Sequence, residues 1–172
     1  MQPPLATSEA DFVQILDQHQ HLLHKVCRMY ARTSEEQNDL FQDMVVQLWR
    51  AWPQFRHQCK ISTWMYRIAL NVAISGLRRK RLPTETLTEQ AWNIPDRSEP
   101  ELPDRLQQLY AALDRLSPVE KSFALLLLED YNYEEIAEIT GLSEAHLRVK
   151  IFRIKEKLRS ILNPSLQHKQ AP

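Results

Sequence analysis

Only two glycines, Gly76 and Gly141, occur in 172 residues. Leu, Ala, Glu, Gln, Lys and Arg are plentiful, and these side chains lose little on entering a helix. The expectation is an all-α protein whose elements are delimited by capping residues and prolines.

The prolines mark one main break. Residues 82–103 read LPTETLTEQAWNIPDRSEPELP, with four prolines, five acidic residues and little periodicity. That composition predicts a flexible acidic linker. It separates two small helical domains: an N-terminal helical bundle over residues 1–81 and a C-terminal helix-turn-helix domain over 104–164, with 165–172 as a tail. Within the linker, Trp92 and Ile94 either dock on a lobe or form an incidental exposed pair.

Formal net charge is zero, which argues at first against a nucleic-acid partner. The sum hides a partition. Residues 1–60 carry 6 Lys/Arg against 7 Asp/Glu, and residues 61–81 carry 5 against none. Residues 82–135 carry 4 against 12, and residues 136–172 carry 7 against 3. Two basic blocks thus flank an acidic middle, a better guide to partners than the total.

A first helix is expected from about Ser8 to Ala31, capped by Ser8, with Phe12, Ile15, Leu16, Leu22, Leu23 and Val26 on its apolar face. A second follows TSEEQ, where Ser34 and Gln37 have capping-box spacing. Its stripe is Leu40, Phe41, Met44, Val45, Leu48 and Trp52, and Pro53 closes it. After the loop QFRHQCK a third helix starts near Ser62. Trp64, Ile68 and Val72 recur there at i+4 as a core stripe, with Met65, Ala69 and Leu77 beside it.

Thr63, Arg67 and Asn71 share a different face of that helix. Asparagine is unfavoured mid-helix, yet its amide can satisfy a donor and an acceptor of a base together. A solvated or locally bonded amide is the alternative. The helix runs into Arg78, Arg79, Lys80 and Arg81. A helix C-terminus favours each cation by about 0.3–1 kcal/mol at low salt, and phosphates add counterion release. A solvated basic tail and a nuclear-targeting signal are the other readings of the cluster.

In the C-terminal domain, Leu106, Leu109, Tyr110, Leu113 and Leu116 mark one amphipathic helix. SPVE at 117–120 then places Ser as N-cap, Pro at the first helical position and Glu at the third. NYEEIAEIT ends at Gly141, whose missing Cβ suits a left-handed C-cap, and Ser143 can cap the final helix. Tyr133 to Leu158 thus has the layout of a helix-turn-helix. Leu147, Ile151, Ile154, Leu158 and Ile161 form its core stripe. Arg148, Lys150, Arg153, Lys155 and Lys157 remain outside, where cations can meet phosphates and base edges. Ser143, Glu144 and His146 are first-turn candidate readers, with Arg148, Lys150 and Arg153 as further contacts. An ordinary solvated surface helix is the alternative.

At this point a resemblance carries the argument over almost the whole chain. DLFQDMVVQLWRAW resembles the polymerase-binding helix of the extracytoplasmic-function (ECF, group 4) sigma factors of the sigma-70 family. FRHQCKISTWMYRIALNVAISGLRRKR resembles the family's promoter-melting loop and minus-ten recognition helix. LSPVEKSFALLLLEDYNYEEIAEITGLSEAHLRVKIFRIKEKL resembles its minus-thirty-five-binding domain.

The resemblance implies that Asp39, Leu40, Gln42, Asp43 and Trp49 dock on core RNA polymerase. It implies that Arg56, His57, Gln58, Cys59, Lys60 and Ile61, with Asn71, capture a base flipped from the non-template strand. Thr63, Arg67, Arg78, Arg79, Lys80 and Arg81 complete the expected minus-ten surface. Capturing an extruded base couples recognition to melting without ATP, because the single-stranded state is bound preferentially. The loop departs from the family, which commonly has a glycine, an acidic residue and a serine where His57, Gln58 and Cys59 stand. Leu70 and Ser75 replace a basic and an acidic residue found in many relatives.

Bacterial core RNA polymerase and promoter DNA, duplex and single-stranded, are therefore the expected partners. An anti-sigma factor, often membrane-anchored in this family, is implied by the resemblance only. A stand-alone helix-turn-helix regulator is the alternative, and it leaves residues 34–81 without a role. No catalytic fingerprint appears, so an enzyme is not expected, and no cofactor is called for. His21 and His24 are spaced i, i+3 in HQHLLH, but no carboxylate or thiol is arranged nearby to complete a metal site.

Cys27 and Cys59 stand in no CxxC or metal spacing. Reduced thiols are expected, with one disulfide as the alternative. MQPPLATSEADF has neither a basic n-region nor an apolar h-region, and FALLLL at 123–128 is far too short to span a bilayer. The expectation is a soluble cytoplasmic protein.

Overall fold

The computed structural model describes residues 8–80 and 103–163, which fall in two compact units, Met1–Asp96 and Arg97–Pro172. Among the described residues every regular element is helical. Trp92, Ile94 and the rest of the acidic segment up to Leu102 lie outside the described residues, as does the tail from Ser165.

In the first unit α1 (Glu9–Tyr30), α2 (Ser34–Ala51) and α3 (Ile61–Lys80) pack against one another pairwise, with a short 3-10 turn at Trp52–Gln54. Ser8 caps α1 as expected. Its hydroxyl accepts from the Asp11 N–H at 3.2 Å, and the Asp11 carboxylate accepts from the Ser8 N–H at 3.0 Å. The Ser8 hydroxyl and N–H hold the Asp11 carboxyl below its usual range. The cap of α2 sits one residue earlier than the Ser34–Gln37 spacing suggests. Thr33 has extended backbone and its Oγ1 accepts from the Glu36 N–H at 3.1 Å, while the Glu36 carboxylate accepts from the Arg32 N–H at 3.0 Å. Ser34 is already helical, so it cannot be the cap.

The core joins Phe12, Leu23 and Val26 of α1 to Met44 and Leu48 of α2 and to α3. Full burial of each aliphatic side chain contributes about 1.5–3 kcal/mol. On α3 the expected stripe is displaced. Trp64, Ile68 and Val72 are only half-buried, and the fully covered positions are Met65, Tyr66, Ala69, Leu70 and Ala73. The reason is that α3 packs on two helices at once, which covers a wider arc than one stripe. The short Ala69 and Ala73 side chains let neighbouring backbones approach.

Trp52 pins the turn after α2. Its indole N–H donates to the Ser8 carbonyl at 3.2 Å, and its ring lies 5.7 Å from Phe12, 5.8 Å from Phe55 and 5.9 Å from Trp64. His24 stacks on Phe41 at 4.7 Å, a packing contact between α1 and α2. Cys27 is buried, and burial pushes its thiol up to about 11, while Cys59 is half-buried; both are free.

In the second unit α7 (Glu144–Leu162) touches α4 (Asp104–Asp114), α5 (Pro118–Leu128) and α6 (Tyr133–Thr140). Leu116 lies beyond the end of α4, yet it is buried like Leu113. The Ser117 capping box forms: the Ser117 N–H donates to Glu120 at 2.7 Å, and the Glu120 N–H donates to the Ser117 hydroxyl at 3.2 Å. Asn132 and Glu135 repeat the device at α6. Gly141 ends α6 at φ +72°, its N–H donating to the Ala137 carbonyl at 2.8 Å. Leu147, Ile151 and Ile154 are buried, with Leu158 and Ile161 half-buried beyond them.

Candidate nucleic-acid and polymerase surfaces

The core stripe of α2 turns its opposite face outward. Asp39, Gln42 and Asp43 are exposed there, Trp49 is 42% exposed, and Leu40 is half-buried at the edge. Trp49 stands edge-on to Phe12 at 5.1 Å, so one side of the indole is fixed by α1 and the other meets solvent. Between the carboxylates and the indole lies Val46, 45% exposed. Sequence reading passed over Val46, although its i+7 spacing from Asp39 would have found it. The face combines two anions with an apolar patch.

The loop before α3 hangs from a buried anchor. Phe55 is buried against Trp64 at 4.9 Å, and His57 lies against Phe55 at 4.5 Å. Arg56, His57, Gln58 and Lys60 are exposed, and Cys59 and Ile61 are half-buried. His57 has φ +54°, in the left-handed region. This is where the resemblance led to a glycine, and the backbone gives the physical reason, because glycine adopts that region without a Cβ penalty. Histidine tolerates it better than most side chains.

Arg67 and Asn71 are exposed on α3, one helical turn apart. Thr63 does not join them. It is fully buried, and its hydroxyl has no hydrogen-bond partner, so it is no part of an exposed reading face. The first turn of α3 meets the Trp52–Phe55 segment through Trp64, and helical spacing alone does not report that Thr63 is covered. Arg78, Arg79 and Lys80 fall in the last turn of α3, and their side chains, like Arg81, lie outside the described residues.

On α7, Ser143 holds the N-cap backbone conformation but caps no helix N–H. Its hydroxyl instead pairs with His146 Nδ1 at 3.2 Å. Glu144 contacts Arg148 at 3.5 Å, and the Arg148 guanidinium lies over the Tyr133 ring at 5.0 Å. Tyr133 therefore steers one of the candidate contacts. Lys150 and Arg153 are exposed on the other flank, beside Val119 and Phe123 of α5, in a groove of about 240 Å³. Lys157 meets Glu120 at 2.9 Å, so it serves helix packing as well as charge.

A three-helix unit with an acidic-apolar face, followed by a helix-turn-helix with exposed cations on α7, is an all-helical arrangement of the kind that DNA-binding proteins use. Comparison with known proteins gives the family. The Sigma-70 region 2 family matches residues 15–82, and Sigma-70 region 4 matches residues 106–158. The chain belongs to the sigma-70 family of RNA polymerase sigma factors, in its ECF group.

It is 29% identical over 154 residues to the ECF RNA polymerase sigma factor SigM of Mycobacterium tuberculosis, covering 88% of this chain and 76% of the relative. It is 28% identical over 160 residues to the ECF RNA polymerase sigma-E factor of Escherichia coli, covering 84% of each. Its fold resembles CnrH, solved in complex with the cytosolic domain of CnrY: TM-score 0.65, 19% identity, 91% of this chain and 90% of the other. It also resembles RpoE of Bartonella quintana, solved with the anti-sigma factor NepR: TM-score 0.67, 20% identity, 89% and 97% covered.

Proposed function

We propose that this sigma factor binds bacterial core RNA polymerase through the outward face of α2, with Asp39, Leu40, Gln42, Asp43 and Trp49 in contact. The observation that carries this is the exposed pair of carboxylates beside a half-exposed tryptophan that α1 holds in place. Like charges at i, i+4 repel by a few tenths of a kcal/mol, and a cationic partner reverses the sign.

The loop from Arg56 to Ile61 and the exposed Arg67 and Asn71 then read the minus-ten element as unpaired DNA. Arg78, Arg79, Lys80 and Arg81 hold phosphates. Binding the single-stranded state preferentially supplies the opening free energy, since extruding a base costs a few kcal/mol. In the second unit α7 reads the minus-thirty-five element, with Ser143, Glu144 and His146 at the bases and Arg148, Lys150 and Arg153 at bases or phosphates.

The domain limits that fit this division of labour are 1–81 and 104–164, joined by the acidic segment. Among the described residues no helix is long and apolar enough to cross a membrane, in keeping with work in the cytoplasm. An anti-sigma factor is a further partner, by analogy with the complexes of CnrH and RpoE. Run-off transcription with core polymerase tests the reading. Specific initiation from a two-element promoter supports it; failure to bind core polymerase, or a lack of promoter-dependent transcript, rejects it.

A further inference from the structure

One flank of α7 meets α5, and the two helices enclose a groove of about 240 Å³. Phe123 and Ile154, each 2% exposed, form its floor, and Val119, 46% exposed, stands at its side. Lys150 and Arg153 line it from α7, and Ser117 and Glu120 line it from the start of α5. The charges on the two helices are not equivalent. Glu120 is already engaged by the Ser117 N–H at 2.7 Å and the Lys157 ammonium at 2.9 Å. Lys150 and Arg153 are exposed, and among the described residues neither has an acidic partner. They stand at i, i+3 on one helix, where like charges repel by a few tenths of a kcal/mol.

An unmatched pair of cations at the mouth of an apolar recess fits an anion that carries an apolar group. The volume lies below the roughly 300–1,000 Å³ of a drug-sized site, which limits the occupant to one ring or a short chain. A guanidinium takes a carboxylate through two parallel N–H donors, and an ammonium adds a point charge. We infer that the α5–α7 groove is a binding site for a small amphipathic carboxylate. Its ring or chain lies against Val119, Phe123 and Ile154, and its charge sits between Lys150 and Arg153. Bound there, it occupies two cations that the proposed promoter reading gives to DNA, so ligand and promoter compete. The competition rests on that reading; the binding itself does not. A plain anion uses only the cations and an uncharged apolar molecule only the floor, so the site is defined by its need for both.

The test uses the free full chain with benzoate as the probe, followed through the methyl NMR signals of Val119 and Ile154. Saturable shifts with a dissociation constant on the order of a millimolar are expected. Acetate, which lacks the ring, and benzyl alcohol, which lacks the charge, should each bind at least about ten-fold more weakly. Val119→Glu places a carboxylate at the groove and leaves α7 unaltered. It keeps the fold, because an acidic residue in the first turn of α5 suits the helix N-terminus, and it should abolish the benzoate shifts at Ile154. With the chain on core polymerase, benzoate at about ten times its dissociation constant should weaken promoter binding about ten-fold, relative to chloride at equal ionic strength. Absence of saturable shifts overturns the inference, as do equal responses to acetate and benzoate, or undiminished binding by Val119→Glu. A response to a short acidic peptide with none to benzoate gives the groove to a protein partner and overturns it too. Benzoate binding without loss of promoter affinity overturns the competition. Failure of the ligand-free holoenzyme to bind any promoter rejects the promoter-reading role and leaves the carboxylate site standing.

Discussion

The Lys157 ammonium meets the Glu120 carboxylate at 2.9 Å, joining the third residue of α5 to the far half of α7. The same carboxylate closes the α5 capping box. Burial opposes ionisation of Glu120, but the Ser117 N–H, the Lys157 ammonium and the Ser117 hydroxyl outweigh it and hold the carboxyl below its usual range. One side chain thus starts one helix and orients the proposed DNA-reading helix.

Because the folded-state pKa lies below the ordinary value of 4.5, the stabilisation is complete above that pH and is lost as pH falls through the folded-state value. Lys157→Ala should lower the unfolding free energy by about 0.5 kcal/mol near neutrality, a figure reduced for the exposure of the pair. Urea titrations at about pH 7 and about pH 3 should show the gap between wild type and variant shrinking in acid. A gap of the same size at both would assign the loss to packing.

Thr63→Val removes a buried hydroxyl that has no partner while keeping the side chain's shape. An unsatisfied buried polar group costs about 1–3 kcal/mol, so the substitution should raise stability by about 1 kcal/mol in chemical denaturation. Promoter-dependent transcription should be unchanged. Asn71→Ala should lower selectivity for the minus-ten element without loss of stability, which should rise by a few tenths of a kcal/mol because Asn71 is exposed mid-helix and alanine is the better helix former there.

Asp43→Lys converts the repelling Asp39–Asp43 pair into an attractive i, i+4 pair. Helix stability should rise by a few tenths of a kcal/mol. Affinity for core polymerase, measured by competition against the wild-type chain, should fall by at least about ten-fold, the equivalent of 1.4 kcal/mol. Val46→Asp, on the same face, should weaken binding without unfolding the first unit.

The two thiols should react very differently. Cys27 is buried with its thiol raised to about 11, whereas Cys59 lies half-buried in the loop before α3. At about pH 8 the thiolate of Cys27 is scarce and shielded. A colorimetric thiol titration should count one reactive cysteine in the native chain and two after denaturation, with the native signal lost in Cys59→Ser.

Local chemistry was the most legible part. The Ser117–Pro118–Glu120 start of α5, the Ser8 cap of α1 and the left-handed Gly141 each follow from a few adjacent residues, because capping is satisfied within one turn. The α7 stripe was legible too: Leu147, Ile151 and Ile154 are buried where their i, i+4 and i+7 spacing places them. The α3 stripe was not, since two neighbours and the Phe55 loop share its burial and move the core from Trp64, Ile68 and Val72 to Met65, Ala69 and Ala73. The α2 cap shifted by one residue because Thr33 and Ser34 can both cap a helix, and it is Thr33 that holds the extended backbone a cap requires.

For the candidate surfaces the same division holds. Residue types and helical spacing determined that α2 carries carboxylates, that α7 carries cations outside a core stripe, and that every regular element among the described residues is helical, all consequences of side-chain chemistry at short range. Tertiary packing alone decided that Thr63 is enclosed while Arg67 and Asn71 stay open, that Arg148 is steered by Tyr133, and that Val46, Val149 and Phe152 remain uncovered. Exposure is a property of neighbours distant in sequence, and no periodicity within one helix can report what another helix covers.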